Sequence, residues 1–344
     1  MSTSTVSPRT RPFDDSDPVW VLMPVYNDWD AVRKLLRDID NVAHQHELRL
    51  QLLLVDDGSV SAPRPEDLLS AVHSLVTIDI LHLARNMGHQ RAIAVGLAYL
   101  QHNARPSAVL VMDCDGEDSP ADIARLVGAL RANRSEKIVF ARRSKRSEGI
   151  VFRTGYRVYQ LVHWILTGQR IHFGNFSIIP GTLLVRLVVA SELWNHFPAA
   201  VLKAKLPWTT IDCVRSIRLS GYSRMNLIAL VIHGLSAISV FGDVVGVRAL
   251  IGLMMLMLLS VVAMTGAVVV RFATDLAIPG WATYTVGLLA VILLQSFALS
   301  IVFVFMILQS RSGTTVVPLR DFEHLIVGVC HVYPQASVRS IQGA

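Results

Sequence analysis

Two aspartates, Asp113 and Asp115, lie two residues apart between an apolar run and a helical pattern that begins near Ser119. In the turn that leaves a strand, this spacing lets both carboxylates approach one bound cation. Oxygen ligands of this kind favour Mg²⁺ or Mn²⁺, and Glu117 is a candidate for a further ligand. Many Asp-x-Asp pairs are solvated turns, but the position after an apolar run favours a metal site.

Two other polar segments have the chemistry to hold a nucleoside. Asp57 is followed by Gly58 and Ser59, and its carboxylate can accept hydrogen bonds from a base or a ribose. Tyr26, after an earlier apolar run, offers an aromatic face for stacking. The alternative for Asp56-Asp57-Gly58-Ser59 is an ordinary turn, since these residue types are typical of turns.

Positive charge is concentrated in one segment. Residues 131–157 contain nine Lys or Arg against two Glu, a balance of +7, whereas the whole chain has a net charge of +6. Such a cluster can bind diphosphates or anionic headgroups. It favours nucleic acid least, because no nucleic-acid-binding module is recognisable. The candidate phosphate ligands, each of which can equally be a solvated surface residue, are Arg142, Arg143, Arg146 and Arg153.

The first half of the chain alternates apolar runs with helical patterns, which predicts a doubly wound, Rossmann-like α/β sheet. The predicted strands are 20–25, 50–55, 78–83, 108–112 and 137–141. The predicted helices between them are 30–43, 66–76, 90–101 and 121–133. Ligands of such sheets bind beyond the carboxyl ends of the strands. All of the first four strands end in polar segments, so we expect the site there.

The C-terminal part contains two long uncharged runs. Between Arg248 and Arg271 lie 22 consecutive uncharged residues, and between Asp275 and Arg311 lie 35. Each exceeds the roughly 20 residues with which a helix crosses a bilayer. Buried core helices are the alternative, but these rarely lack charge on every face for so long. We therefore predict transmembrane helices near 249–270 and 284–309.

These patterns predict five segments. They are a disordered segment 1–18, a catalytic domain 19–225, an interfacial helix 226–247, two transmembrane helices 248–310 and a cytoplasmic tail 311–344. Residues 153–166 form a second candidate interfacial helix, and for both helices packing on the sheet is the alternative. No apolar leader precedes the first domain, so we expect that domain in the cytoplasm and the protein in the cytoplasmic membrane. The scattered cysteines Cys114, Cys213 and Cys330 have no metal-ligand spacing.

An ordered set of motifs resembles family 2 glycosyltransferases, in particular the polyprenyl phosphate subgroup that includes dolichyl-phosphate mannose synthase and the bactoprenol glucosyltransferases. The motifs are Pro24-Val25-Tyr26-Asn27, Val55-Asp56-Asp57-Gly58-Ser59, Asn86-Met87-Gly88-His89-Gln90, Asp113-Cys114-Asp115 and Arg218-x-x-Gly221-Tyr222-Ser223-Arg224. The resemblance extends from about Pro18 to Arg311. No single motif is decisive, but the order is specific.

The resemblance implies a glycosyltransferase-A fold and transfer with inversion. It implies a nucleotide diphosphate sugar as donor, a polyprenyl phosphate as acceptor and a divalent cation as cofactor. The residues that it assigns to the donor are Pro24, Tyr26, Asp57, Asn86 and Asp113. Asp115 is implied as the main metal ligand, with Asp113 beside it and Glu117 where the subgroup often has Gln. The residues implied in phosphate binding are Arg142 or Arg143, Arg146, Arg153, Arg218, Ser223 and Arg224.

Two departures from the subgroup bear on mechanism. Asn175 stands where the subgroup usually has an Asp that is a candidate catalytic base, and Asn cannot take up a proton. A lipid phosphate is already an anion, so transfer can instead depend on positioning and charge stabilisation. The alternative is that Glu192 or His196 acts in acid–base chemistry or reads the sugar. Arg224 replaces the usual Lys, which keeps the charge and changes its geometry.

The expected function is transfer of one sugar to polyprenyl phosphate for the cell envelope. One alternative is a transferase acting on another lipid or polysaccharide, although the Gln-x-x-Arg-Trp motif of processive synthases is missing from the sequence. Another is a catalytically inactive membrane partner, against which the intact Asp113 and Asp115 argue. The resemblance also implies a homo-oligomer.

Overall fold

The computed structural model describes residues 13–333 except 15, 62–67, 69–71, 144–149, 214–215, 217, 220–226, 275–277, 279 and 313–314. At residues 143, 150–154, 156, 227–230 and 310–312 only the backbone is described. The chain forms two compact units. One comprises residues 1–154, 171–240 and 316–344, and the other comprises residues 155–170 and 241–315.

The first unit is built on one mixed sheet of eight strands in the order β7-β5-β6-β4-β1-β2-β3-β8. The strands are β1 (Val19–Val25), β2 (Leu50–Asp56), β3 (Thr77–Leu83), β4 (Ala108–Val111), β5 (Ile138–Arg143), β6 (Ser177–Pro180), β7 (Trp208–Cys213) and β8 (Ile326–Tyr333). Strands β4, β1, β2 and β3 are parallel neighbours, as is the pair β5 and β7. Strand β6 is antiparallel to β4 and β5, and β8 is antiparallel to β3.

Ten α-helices are described. They are α1 (Trp29–Gln45), α2 (His89–Asn103), α3 (Ala121–Ala132), α4 (Ile150–Thr167), α5 (Gly181–Val188), α6 (Phe197–Lys203), α7 (Leu227–Ser239), α8 (Gly242–Ala273), α9 (Trp281–Ser312) and α10 (Pro318–Asp321). Two short 3₁₀ helices cover Ser191–Trp194 and Phe322–Leu325. Helices therefore follow most strands, as the alternating pattern predicted.

Strand β1 is covered on both faces, because its side chains alternate between two apolar clusters. Val21 and Met23 belong to one cluster, which includes α1 and α3 residues. Leu22 belongs to the other, which includes α2 residues. A Cβ at Gly96 of α2 would lie 2.7 Å from the Leu22 side chain, so glycine lets α2 lie close to the sheet. This close packing fixes the first turn of α2 beside the strand ends.

The five predicted strands are confirmed within two residues. The predicted helix 66–76 falls largely outside the described residues, and its last part is wrong, because residues 72–76 are not helical. There the Asp40 carboxylate accepts three backbone N–H groups, those of His73, Ser74 and Leu75, at 2.7–3.1 Å. Most of the segment 1–18 also lies outside the described residues.

In the second unit, α8 and α9 are long and apolar enough to cross a membrane. In their most apolar 18-residue windows only 11% and 6% of residues are buried, which is the reverse of a soluble core helix. Arg248 of α8 donates to the carbonyl of Ile165 at 2.7 Å, at the last turn of α4. The second unit thus combines the two candidate spans with most of the helix predicted at residues 153–166.

The segment predicted as a tail contributes strand β8 to the sheet. Val332 is buried in the cluster of the first unit, whereas Val327 on the same strand is 73% exposed. Val332→Ala should cost about 2 kcal/mol, because it removes buried methyl groups and leaves a cavity. We expect the apparent melting temperature to fall by about 4–8 °C. Val327→Ala is the matched control and should leave it within about 1 °C. Equal shifts in the two variants would contradict the pairing of β8.

Candidate active site

The polar segments that follow β1 to β4 meet at one edge of the sheet. The Asn27 N–H donates to Ser59 Oγ at 2.9 Å, which joins the segments after β1 and β2. His89, which follows β3, lies with Nε2 3.1 Å from Asp113 Oδ1, after β4. The carboxyl ends of parallel strands therefore meet as the sequence predicted.

Asp57 holds the loop that leads into α2. Its Oδ1 accepts the N–H of Met87 at 2.7 Å, and its Oδ2 accepts the N–H of Gly88 at 2.9 Å. The side chain is buried, and burial raises its pKa, although the two backbone hydrogen bonds oppose this. In this structure Asp57 thus positions residues 86–88, and its contact with a nucleoside stays a prediction.

The other predicted nucleoside residues differ in exposure. Tyr26 is 40% exposed, so its side chain reaches solvent. Pro24 lies buried within β1. Asn86 is exposed on the loop that Asp57 holds. Tyr26 and Asn86 are therefore the predicted donor residues that solvent, and hence a ligand, can reach most directly at this edge.

Asp113 and Asp115 lie in a tight turn that is closed by its own side chains. Asp115 Oδ1 accepts the N–H of Glu117 at 2.9 Å, and Asp118 Oδ2 accepts the N–H of Asp113 at 3.0 Å. Burial raises the pKa of Asp115, and the negative charge of Asp113 raises it further. Two carboxylates held near each other out of water are destabilised by repulsion, and a divalent cation relieves this.

Arg218 bridges two carboxylates at this turn. Its Nη1 lies 3.2 Å from Asp115 Oδ2, and its Nη2 lies 3.3 Å from Asp28 Oδ2. All three side chains are largely buried, so the charges are weakly screened. The predicted phosphate role of Arg218 stays a prediction. Ser223 and Arg224 lie outside the described residues.

Gly116 lets the segment of Arg218 lie against the carboxylate turn. Its φ is +84°, and a Cβ there would come within 2.4 Å of Leu219 Cγ. The Leu219 N–H donates to the Asp115 carbonyl at 3.0 Å, so the two segments are directly paired. Glycine meets both demands, because it has no Cβ and readily adopts positive φ.

On the prediction that this turn binds a metal and a donor, Gly116→Ala should weaken donor binding about tenfold, because left-handed backbone costs alanine about 1–2 kcal/mol and the methyl group displaces Leu219. Adding Leu219→Ala should restore part of the affinity by removing the clash while leaving the backbone strain. Calorimetric titration of the donor measures both effects. Gly128→Ala, where a Cβ meets no atom within 4 Å, is the control. Full affinity in Gly116→Ala would contradict the proposed turn geometry.

A chain of hydrogen bonds places Asn175 beside His89. The Phe197 N–H donates to Gln90 Oε1 at 2.7 Å, and Gln90 Nε2 donates to Asn175 Oδ1 at 3.0 Å. Asn175 Nδ2 then faces His89 Nε2 at 2.9 Å. The backbone N–H thus fixes which end of each amide is oxygen. Asn175 arrives here because β6 pairs with β4, with Ser177 opposite Val111.

His89 Nε2 has two competing neighbours. It can accept from Asn175 when Nε2 carries no proton, or donate to Asp113 when Nε2 carries one, as in the protonated ring and in the neutral Nε2–H tautomer, but it cannot do both. Burial lowers the pKa of His89, but the charge of Asp113 and the hydrogen bond to it, with Asp118 and Asp115, leave that pKa raised. The protonation of His89 is therefore set by the same carboxylates that are the metal candidates.

An open pocket lies at this edge and is lined by Asp113, Glu117 and Asn175 among others. Within the described residues, no group of three or more His, Cys, Asp or Glu forms a metal cage. Mg²⁺ usually needs only one or two carboxylates when substrate phosphates complete its shell. The Asp113–Asp115 turn beside an open pocket fits that requirement, and Glu117 lines the same pocket.

The basic segment is only partly described. Arg142 lies on the surface, with Nε 2.8 Å from Asp212 Oδ1. The Arg143 and Arg153 side chains and the whole of Arg146 lie outside the described residues. The predicted phosphate role of these arginines therefore stays a prediction.

The two alternative acid–base residues are held by local contacts. Ser191 Oγ donates to Glu192 Oε2 at 3.3 Å. His196 is buried, and its Nδ1 accepts the Ala199 N–H at 3.2 Å, so that it caps α6. A proton carried on Nδ1 would break that cap.

Three residues of this site, His89, Gln90 and Asp28, had no role predicted from the sequence. His89 and Gln90 belong to the motif Asn86-Met87-Gly88-His89-Gln90, which is the signal that could have identified them.

The matching family model is Glycosyl transferase family 2, and it covers residues 20–194, just over half of the chain. The matched region contains the sheet edge and the carboxylate turn described above. The chain therefore belongs to the family 2 glycosyltransferases.

The similar proteins include an undecaprenyl-phosphate transferase, which agrees with the subgroup that the motifs indicated. The uncharacterized glycosyltransferase YkcC of Bacillus subtilis is 24% identical over 64% of this chain and 67% of its own length. The undecaprenyl-phosphate 4-deoxy-4-formamido-L-arabinose transferase of Pseudomonas fluorescens is 32% identical over 34% of this chain. That match spans 36% of the transferase, about a third of its length. Among solved structures, glucosyl-3-phosphoglycerate synthase of Mycobacterium tuberculosis, with Mn²⁺ and UDP-glucose, has a TM-score of 0.48 at 14% identity, over 67% of this chain and 80% of that one.

Proposed function

We propose that the protein transfers one sugar, with inversion, from a nucleotide diphosphate sugar to a polyprenyl phosphate such as undecaprenyl phosphate. The observation that carries this proposal is the Asp113–Asp115 turn at an open pocket of a family 2 domain that continues into two candidate membrane spans. The similarity to undecaprenyl-phosphate transferases supports the lipid acceptor. The product would serve a cell-envelope glycan or glycolipid.

The donor is held at the strand ends in this proposal. Tyr26 stacks on the base, and Asp57 holds the neighbouring loop so that Asn86 can contact the nucleotide. Asp115, with Asp113 and Glu117 beside it, binds Mg²⁺ or Mn²⁺. Such a cation neutralises charge on a diphosphate leaving group. Arg218 then exchanges one carboxylate for a phosphate, since guanidinium binds either in the same geometry.

The acceptor needs no protein base. A lipid phosphate oxygen is anionic near neutral pH, so it attacks the anomeric carbon without losing a proton first. Asn175 contributes by holding His89, and the site works by positioning and electrostatic stabilisation. His196 is less suited to proton transfer, because its Nδ1 already accepts the Ala199 N–H.

The chain connections favour an even number of crossings. Helix α8 follows residues of the first unit, and after α9 the chain returns to that unit in strand β8, which pairs with β3. The sheet cannot be divided by a membrane, so both ends of the helix pair lie on one side. We place that side in the cytoplasm, where nucleotide sugars are available as donors.

The test is a transfer assay with purified full-length protein, undecaprenyl phosphate, Mn²⁺ or Mg²⁺ and one radiolabelled nucleotide sugar at a time. Label that enters the organic phase with one donor supports the proposal and identifies the sugar. A polyprenol without phosphate is the matched acceptor control and should stay unlabelled. Failure of every donor, while a known transferase works in parallel, would contradict the proposal.

A further inference from the structure

Helix α7 has two chemically different faces. Val231, Ile232 and Leu235 are 53–58% exposed and fall on one side of a helix with 3.6 residues per turn. Ala237 lies on the opposite side and is buried. His233 shares that inner side and is partly buried. The helix therefore presents an apolar surface outward and an imidazole inward.

The outer face is positioned to lie on the bilayer. The chain leaves α7 at Ser239 and begins the candidate span α8 at Gly242. An amphipathic helix that immediately precedes a span is held at the membrane interface, where exposed apolar side chains are stabilised. A group on its inner face then stands between the lipid surface and the interior of the first unit.

His233 contacts a residue that adjoins the hydrogen-bond chain of the candidate active site. Its ring centroid lies 4.9 Å from that of His196, at an interplanar angle of 48°. The next residue, Phe197, donates its N–H to Gln90, which starts the hydrogen-bond chain through Asn175 to His89. A continuous set of contacts thus runs from the interfacial helix to the active site.

Electrostatics agree with this placement. Burial lowers the pKa of His233, a positive charge at His89 lowers it further, and Asp113 opposes both. His233 is therefore close enough to the carboxylate turn to respond to its charges. A buried packing histidine remote from the site would not sense Asp113.

We propose that His233 binds the phosphate of the lipid acceptor by donating an imidazole N–H to a phosphate oxygen. This inference rests on the proposed function and adds a residue to the acceptor site. The phosphate must reach past α7 into the first unit, where His233 stands on the inner side of the helix. A hydrogen bond to a charged oxygen is stronger than one between neutral groups, so the phosphate, and not the chain, is what His233 recognises.

The test measures binding of a fluorescent short-chain polyprenyl phosphate to full-length protein in detergent, without donor. His233→Ala should weaken this binding about tenfold to a hundredfold, and His233→Gln, which keeps an N–H donor, should restore most of it. Ser236→Ala changes the same helix, where Ser236 Oγ donates to the Ile232 carbonyl, and should bind as the wild type does. Donor affinity should be unchanged in all three.

Each outcome separates the two hypotheses. Equal affinity of the wild type and His233→Ala for the lipid phosphate would overturn the inference and leave the proposed function intact. An equal loss of affinity for the corresponding polyprenol would also overturn it, because the role of His233 would then be apolar packing. A wild type that binds lipid phosphate through His233 but transfers no sugar would overturn the proposed function alone. A wild type that does not bind lipid phosphate would overturn both.

Discussion

Asp115→Ala should lower kcat/KM for sugar transfer about a thousandfold, which corresponds to about 4 kcal/mol of transition-state stabilisation. Asp115 is largely buried next to Asp113, and burial and that charge together raise its pKa. Removing it takes away the main one of the three carboxylates proposed for the cation that should bind the diphosphate, and leaves Asp113 and Glu117. Calorimetry should show that donor binding no longer depends on Mg²⁺ or Mn²⁺.

A second variant tests whether Asp115 acts through its negative charge or through the turn that it closes, and a third variant is the control. Asp115→Asn keeps an oxygen that can accept the Glu117 N–H but removes the charge, so it should lose metal dependence while keeping the turn. Asp30→Ala removes an exposed carboxylate paired with Arg33 and should be as active as the wild type. Donor binding by Asp115→Ala that still rises with added Mn²⁺ would exclude Asp115 from the metal site. A lowered melting temperature in Asp115→Asn would show that the turn itself had failed.

The sequence predicted the part of the sheet that has long apolar strands. Strands β1, β2 and β4 and the first part of β5 carry nearly continuous apolar runs, a pattern that strands buried on both faces produce, whereas β3 is interrupted by Asp79 and His82. Strand β6 begins with a serine and ends at Pro180, so it lacks the continuous apolar run that identified the equally short β4. Strand β8 is separated from its partner β3 by the whole membrane region, and a local pattern contains no information on a pairing at that distance. Residues Val327 to Tyr333 are rich in β-branched and aromatic types, which is the signal that would have identified it.

The candidate site was predictable where function requires a residue type and unpredictable where it depends on contacts. Asp113 and Asp115 were recognisable because hard cations need carboxylates. The ion pair of Arg218 with Asp28 joins residues 190 positions apart, so no spacing rule indicates it. His233 was not identified, because it lies within an apolar stretch whose composition predicts only an interfacial helix. The position of Asn175 follows from the register of β6, which the sequence did not reveal.

The second large effect is expected from Gln90→Glu, which replaces one amide by a carboxylate in a buried chain. The new carboxylate still accepts the Phe197 N–H but cannot donate to Asn175. The Asn175 amide then turns so that its Nδ2 donates to the new carboxylate, and its oxygen faces His89 Nε2. That arrangement favours a proton on Nε2, and the added negative charge stabilises the protonated ring, so the pKa of His89, already raised by Asp113, rises further. Protonated His89 competes with the cation for Asp113, and kcat/KM near pH 7 should fall about tenfold to a hundredfold.

The dependence of kcat/KM on pH tests this reasoning, because the direction in which His89 titrates is known. A histidine with a raised pKa is protonated below that pKa and loses its proton as the pH rises through it. The Gln90→Glu defect relative to the wild type should therefore be largest between the pKa of His89 in the wild type and its higher pKa in the variant, should diminish as the pH rises above the higher pKa, and should be partly overcome by excess Mn²⁺. Asn103→Asp adds the same charge at the exposed far end of α2 and should leave the profile unchanged. A loss of kcat/KM that is independent of pH and of Mn²⁺ would indicate that Gln90 only supports the fold. Recovery of kcat/KM both at higher pH and with excess Mn²⁺ would mean that the orientation of the Asn175 amide controls whether Asp113 is available to the cation.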